Sequence, residues 1–95
     1  MTLLYLNSDR IGQGDDELGR KLLRVFLEKL AASEVRIDFV ACLNGGVRLT
    51  SSGSDVLPSL ETLAARGARV LSCGTCLDHL GLKEDLAVGG VGGMP

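Results

Sequence analysis

The feature that most constrains this chain is an alternation between two kinds of apolar pattern. Short continuous apolar runs, Leu3-Leu4-Tyr5-Leu6, Ile37 through Leu43 and Ala68 through Ser72, read as buried strands. Between them lie longer stretches whose apolar residues recur with helical spacing. In the first, Leu18, Leu22, Val25, Phe26 and Leu30 form one stripe expected to face a core. Asp15 or Asp16 is placed to cap this helix, and the acidic Asp15-Asp16-Glu17 suits its positive end. Gly19 in its first turn costs about 1 kcal/mol relative to Ala, which hints at a close approach to another backbone. The second helical stretch carries Val56, Leu57, Leu60, Leu63 and Ala64. Ser54 is its expected cap, Pro58 falls in its first turn, and Gly67 supplies the left-handed position past its end. Val47 to Thr50 reads as a short extended piece. A short helix is expected from about Cys76 to Leu80, ended by Gly81, and then one more turn and a last short strand within Lys83 to Val88.

Strand, helix, strand, helix, strand, helix is the order that builds a parallel sheet with right-handed crossovers. The fold class is therefore α/β, with a mainly parallel sheet of roughly three to five strands and flanking helices. The length of 95 residues suits one domain spanning 1–95, whose glycine-rich end, 89–95, is expected to fray. So small a sheet does not easily cover both faces with its own helices, so self-association is expected.

Charge and hydropathy exclude several function classes. Ten Lys and Arg against twelve Asp and Glu give a net charge of −2, with no cationic footprint for nucleic acid. No segment approaches the roughly 18–20 apolar residues of a membrane helix. Met1 to Leu6 is too short for a signal peptide and lacks its basic flank and cleavage site. The expected setting is a reducing cytoplasm, where the three cysteines are thiols.

Ligands of open parallel sheets bind outside the carboxyl ends of the strands. Three loops qualify: Ser8 to Gly14, Asn44 to Gly46, and Cys73 to Cys76. Only the last carries an evident reactive group. Cys73 stands where a strand turns into a helix, so the free N–H groups of the first turn favour its thiolate. Gly74 leaves that turn open to an incoming sulfur or selenium donor. Arg10 and Arg48, on the two neighbouring loops, add positive charge if they point inward. The plain alternative is a buried, inert cysteine at a strand end.

Cys76 completes a C-x-x-C pair. As a redox dithiol the pair resembles thioredoxin-like sites, but no proline is placed to face it, since the chain has only Pro58 and Pro95. As a zinc site it needs two further ligands, with only Cys42 and His79 to supply them. A c-type haem motif is excluded by Leu77 after the second cysteine. The remaining reading is a nucleophile with a helper, which needs neither metal nor cofactor. His79 lies one helical turn past Cys76, placed to tune that thiol or simply solvated. Cys42, between Ala41 and Leu43, reads as core. The Gly12-x-Gly14 pair is only a fragment of a phosphate-binding loop.

Several runs together resemble a known family. They are Gly12-x-Gly14-x-x-Glu17-Leu18-Gly19, Leu43-Asn44-Gly45-Gly46-Val47-x-Leu49-Thr50, Gly53-Ser54, and above all Ser72-Cys73-Gly74-Thr75-Cys76-Leu77-Asp78 with Gly81-Leu82. They are similar to the DsrE/DsrF-like sulfur-relay family, in its YedF branch, from about Leu3 to Met94. The resemblance implies a small three-layer α/β fold that associates into trimers or hexamers. It implies a sulfurtransferase-like carrier of sulfur or selenium, with Cys73 as persulfide acceptor, Cys76 as helper, and Gly12, Asn44, Gly45, Gly74 and Thr75 around the substrate. A non-catalytic interaction subunit and a Cys73/Cys76 redox switch are the alternatives.

Two departures stand out. The family usually carries an amino-terminal TusA-like carrier domain, whereas this sequence opens at Met1 on its first strand, so if that domain is needed it is expected to act as a separate protein. At the other end, Gly92 and Gly93 stand where the family has Thr and Asn.

Overall fold

The computed structural model describes residues 1–92. Four strands, β1 (Leu3–Leu6), β2 (Phe39–Cys42), β3 (Arg69–Cys73) and β4 (Gly90–Gly92), form one sheet. They lie side by side in sequence order and every pairing is parallel. Helices α1 (Asp16–Ala32), α2 (Leu57–Ala65) and α3 (Gly74–His79) connect them. The small α/β fold, with its parallel sheet and flanking helices, is the one that the alternation of patterns predicts.

The helices flank the sheet unequally. Period-two alternation puts Leu4, Leu6, Val40, Cys42, Val70 and Ser72 on one face. There they join Leu23 and Leu27 of α1 and Leu60 and Leu63 of α2, and Val40, Leu27 and Leu60 are fully buried. The opposite face carries Leu3 and Tyr5, both exposed, and Arg69, whose guanidinium lies 5.9 Å from the centre of the Phe39 ring. The expectation that β1 is buried on both faces is thus corrected: it is an edge strand, half of it facing solvent. Arg66 fastens the two long helices by donating to the carbonyls of Ala31 (2.8 Å) and Val35 (3.0 Å).

Local signals hold at the start of α1 and at the ends of α2 and α3, while α3 itself starts at Gly74, ahead of the expected Cys76. The Asp15 carboxylate accepts from the Leu18 N–H at 2.9 Å, and Gly67 and Gly81 take left-handed conformations just beyond α2 and α3. Ser54 does not cap α2. That helix starts at Leu57, and the Ser54 hydroxyl instead accepts from the Val56 N–H ahead of it.

The stripe assigned to α1 is rotated. Leu18, Leu22 and Phe26 are 53 %, 46 % and 41 % exposed, while Gly19, Leu23 and Leu27 face the core. Both sets have helical spacing, so the pattern admits either face. Contact decides. The Ile11 N–H donates to the Gly19 carbonyl at 3.0 Å, and the Ile11 carbonyl and the Arg10 side-chain stem stand where a Cβ on Gly19 would go, the close approach anticipated there.

The chain around β2 and β4 also departs from expectation. Asn44–Arg48 is a 3₁₀ turn, and Val47 to Thr50 is not an extended piece. A Cβ on Gly46 would run into the Leu6 carbonyl, so this turn packs directly on the end of β1. The last strand is not within Lys83 to Val88, where Lys83–Asp85 forms another 3₁₀ turn. It is β4, within the segment expected to fray. Gly89 (φ +74°) lies against the Val70 carbonyl, and Leu71, Ser72 and Cys73 pair with Gly90, Val91 and Gly92. Backbone pairing overrides the poor strand propensity of glycine here. The rest of that expectation falls at 93–95, outside the described residues.

Candidate functional site

The carboxyl ends of β1, β2 and β3 and the first turn of α3 meet at one edge of the sheet. β3 ends at Cys73, which is also the residue before α3, with φ −64° and ψ 122°. Its register is one step past Cys42, because Cys42 pairs with Ser72 and Cys73 with Gly92. Cys73 therefore shares a face with Leu71, away from the main core. It is buried all the same, at 8 % exposure. Hydrogen bonding from the Cys76 backbone N–H, then from its thiol, and finally from the backbone and hydroxyl of Thr75 holds the Cys73 thiol below its ordinary pKa, against the upward push of desolvation.

Cys76 is the more accessible sulfur of the pair. The Asn44 backbone N–H donates to its Sγ at 3.1 Å. Asn44 itself has φ +51°, the left-handed region that Asn tolerates better than most residues. Together with Tyr5, Asn7, Leu43, Thr75, His79 and Leu80, these two residues line an open depression of about 490 Å³. Leu43, Leu80 and the Tyr5 ring supply apolar wall; Asn7, Thr75 and His79 supply polar groups.

Of the residues expected at the site, Asn44, Thr75 and Cys76 stand together in this depression, with Gly45 next to Asn44. Cys73 lies behind Cys76. Gly74 is not open on all sides, since a Cβ there would stand 3.1 Å from Val91 Cγ1. Gly12 does not reach the depression; it sits in an exposed loop with nothing within 4 Å of where its Cβ would be. The positive charges expected from the neighbouring loops are also placed elsewhere. Arg10 is held by Asp9 and Asp16, both at 2.9 Å, and Arg48 lines a separate cavity beside Arg20, Arg24 and Asp55. Tyr5, Asn7 and Leu80 went unpredicted, although the carboxyl-end rule already pointed at Asn7, directly after β1.

Beneath the pair lies a buried hydroxyl chain. Thr50 Oγ1 donates to the Val47 carbonyl (3.0 Å), which leaves Ser72 to donate to Thr50 at 2.7 Å. This chain ties the end of β3 to the segment after β2. Among the described residues, no group of three or more His, Cys, Asp or Glu stands together to hold a metal ion. No described helix is long and apolar enough to cross a membrane.

No protein-family profile matches the chain, and no curated protein matches it. A solved structure does. It is a protein of unknown function, MTH1491, from Methanobacterium thermoautotrophicum, with a TM-score of 0.66 and 24 % identity over 96 % of this chain and 79 % of that one. At that identity the similarity establishes a shared fold.

Proposed function

We propose that this protein is a thiol-based carrier in a sulfur or selenium relay, with Cys73 holding the cargo as a persulfide and Cys76 assisting. The observation that carries the reading is the setting of Cys73: a thiol held below its ordinary pKa beside a second cysteine that opens onto a cavity. A persulfide on Cys73 is an anion at neutral pH, and the N–H groups of Thr75 and Cys76 favour an anionic sulfur there. The family resemblance around Cys73 to Asp78 adds the cargo class, an assembly of trimers or hexamers, a TusA-like protein as exchange partner and a cytoplasmic location. Asn44, Gly45, Gly74 and Thr75 are the substrate contacts of this reading; Gly12 stands outside the depression.

The test is intact-protein mass spectrometry after incubation with a cysteine desulfurase and cysteine. The wild type is expected to retain one added sulfur after removal of small molecules, and Cys73→Ser is expected to retain none. A Cys73→Ser protein that keeps the adduct as long as the wild type overturns the reading. One observation favours a second reading, a non-catalytic interaction subunit. Leu18, Leu22 and Phe26 form an exposed apolar stripe on α1, a surface of the kind that partners cover.

A further inference from the structure

We infer that Cys76 is the exchange thiol of the pair: it takes the outer sulfur from an incoming persulfide and hands it inward to Cys73. The inference rests on the relay reading and assigns the direction in which the two sulfurs work.

Access is the first reason. Cys76 lines the open depression with Tyr5, Asn44, His79 and Leu80, whereas Cys73 is 8 % exposed and lines no part of it. The Val91 side chain packs close beside Gly74, the residue after Cys73. Sulfur transfer between thiols requires the attacking sulfur, the transferred sulfur and the leaving sulfur to stand roughly in line, and the rate depends on access to the attacker. A donor seated in the depression meets that requirement at Cys76 and not at Cys73. The apolar wall of Leu43, Leu80 and the Tyr5 ring suits the carbon-bearing tail of an organic persulfide better than a bare inorganic anion.

The second reason is the donor on Cys76. An N–H at 3.1 Å from Sγ stabilises that sulfur whenever it carries negative charge, which it does as attacker and again as leaving group. Asn44 brings this N–H from a different strand end, so the contact is a tertiary one and not a consequence of helix geometry.

The steps balance without an added oxidant or reductant. In the first, the Cys76 thiolate attacks the outer sulfur of R–S–SH. The S–S bond of the donor breaks, R–S⁻ leaves with the electron pair and takes up the proton that Cys76 gave, and Cys76–S–SH forms. In the second, the Cys73 thiolate attacks the outer sulfur of Cys76–S–SH. The S–S bond on Cys76 breaks, Cys73–S–SH forms, and the proton from Cys73 passes to Cys76. The donors of Cys76 and Thr75 that meet the Cys73 sulfur favour negative charge there, where the persulfide comes to rest.

Rapid-quench mass spectrometry with cysteine persulfide as probe, followed by mapping of the modified cysteine, tests the direction. Cys76→Ser is expected to load Cys73 at least about tenfold more slowly than the wild type, because access to the receiving sulfur sets the rate. Cys73→Ser is expected to gain one sulfur on Cys76 at the wild-type rate and then lose it. Tyr5→Trp, an exposed site that leaves both cysteines in place, is expected to slow loading by crowding the depression. Loading of Cys73 in Cys76→Ser at the wild-type rate overturns the inference and leaves the relay reading intact. So does an unchanged rate in Tyr5→Trp if Cys76→Ser does not fold. No sulfur on either cysteine of the wild type overturns the relay reading itself.

Discussion

Cys42 and Cys73 end adjacent parallel strands, one register step apart, and that step separates a thiol whose pKa is pushed up from one whose pKa is held down. Cys42 points under the helices among Leu6, Val40 and Val70, where desolvation alone pushes its pKa up to about 12. Cys73 points to the other face and is also buried, yet its thiol is held below the ordinary value by hydrogen bonding from Cys76 and Thr75. Cys42 is the more deeply enclosed and is pushed up by desolvation alone, whereas donors meet the Cys73 sulfur, so depth and donors together set the difference.

The largest expected consequence is in alkylation. At pH 8 a small maleimide or iodoacetamide should label Cys73 at least about a hundredfold faster than Cys42, whose thiol, pushed up to about 12, is almost wholly protonated there. Peptide mapping reads this directly, and comparable rates at Cys42 would erase the contrast. Next in size is Gly46→Ala. Its Cβ meets the Leu6 carbonyl, so a loss of about 3 kcal/mol is expected in urea unfolding, together with slower labelling of Cys76 as the turn carrying Asn44 is displaced.

A pH series sharpens the comparison further. The Cys42 thiol ionises near 9.0 when unfolded and at about 12 when folded. Its contribution to stability is complete below pH 9 and falls as the pH rises toward 12, by about 1.4 kcal/mol per pH unit. Cys73 has the opposite sign. Its depressed folded pKa contributes stability above the unfolded value, lost as the pH falls through the folded one. Cys42→Ala should remove the alkaline slope at a cost of about 1 kcal/mol at neutral pH from the small cavity it leaves. An unchanged slope between pH 9 and 11 would show that Cys42 is not its source. The smallest effect expected is from Asn44→Gly, which relaxes the left-handed backbone and keeps the N–H on Cys76. Stability should move by less than about 1 kcal/mol, with labelling of Cys76 unchanged.

The difference between these cysteines was partly legible beforehand. Cys42 sits inside an apolar run and Cys73 at a strand-to-helix junction next to Gly74, and those local patterns point the right way. The depression did not read out so well. Tyr5 and Asn7 reach Cys76 only because β1 lies beside β2, and no local pattern couples residue 5 to residue 76. The resemblance places Gly12 at the substrate, but the Ile11–Gly19 hydrogen bond draws that loop onto α1 and outside the depression beside Cys76.

By itself the sequence determined the first three strands, the start of α1, the glycine stops after α2 and α3 and the parallel order, because these follow from period, capping and connection length, which are properties of neighbouring residues. It did not determine which face of α1 is buried, since Leu18-Leu22-Phe26 and Gly19-Leu23-Leu27 satisfy the same period and only tertiary contact, including that of Arg10 and Ile11 with Gly19, chooses between them. Nor did it determine that the glycines at 90–92 form a strand or that the Asn44 N–H lands on Cys76. Both are long-range hydrogen bonds, and a hydrogen bond between distant residues exists only once packing has brought its two ends to within 3 Å or so of each other.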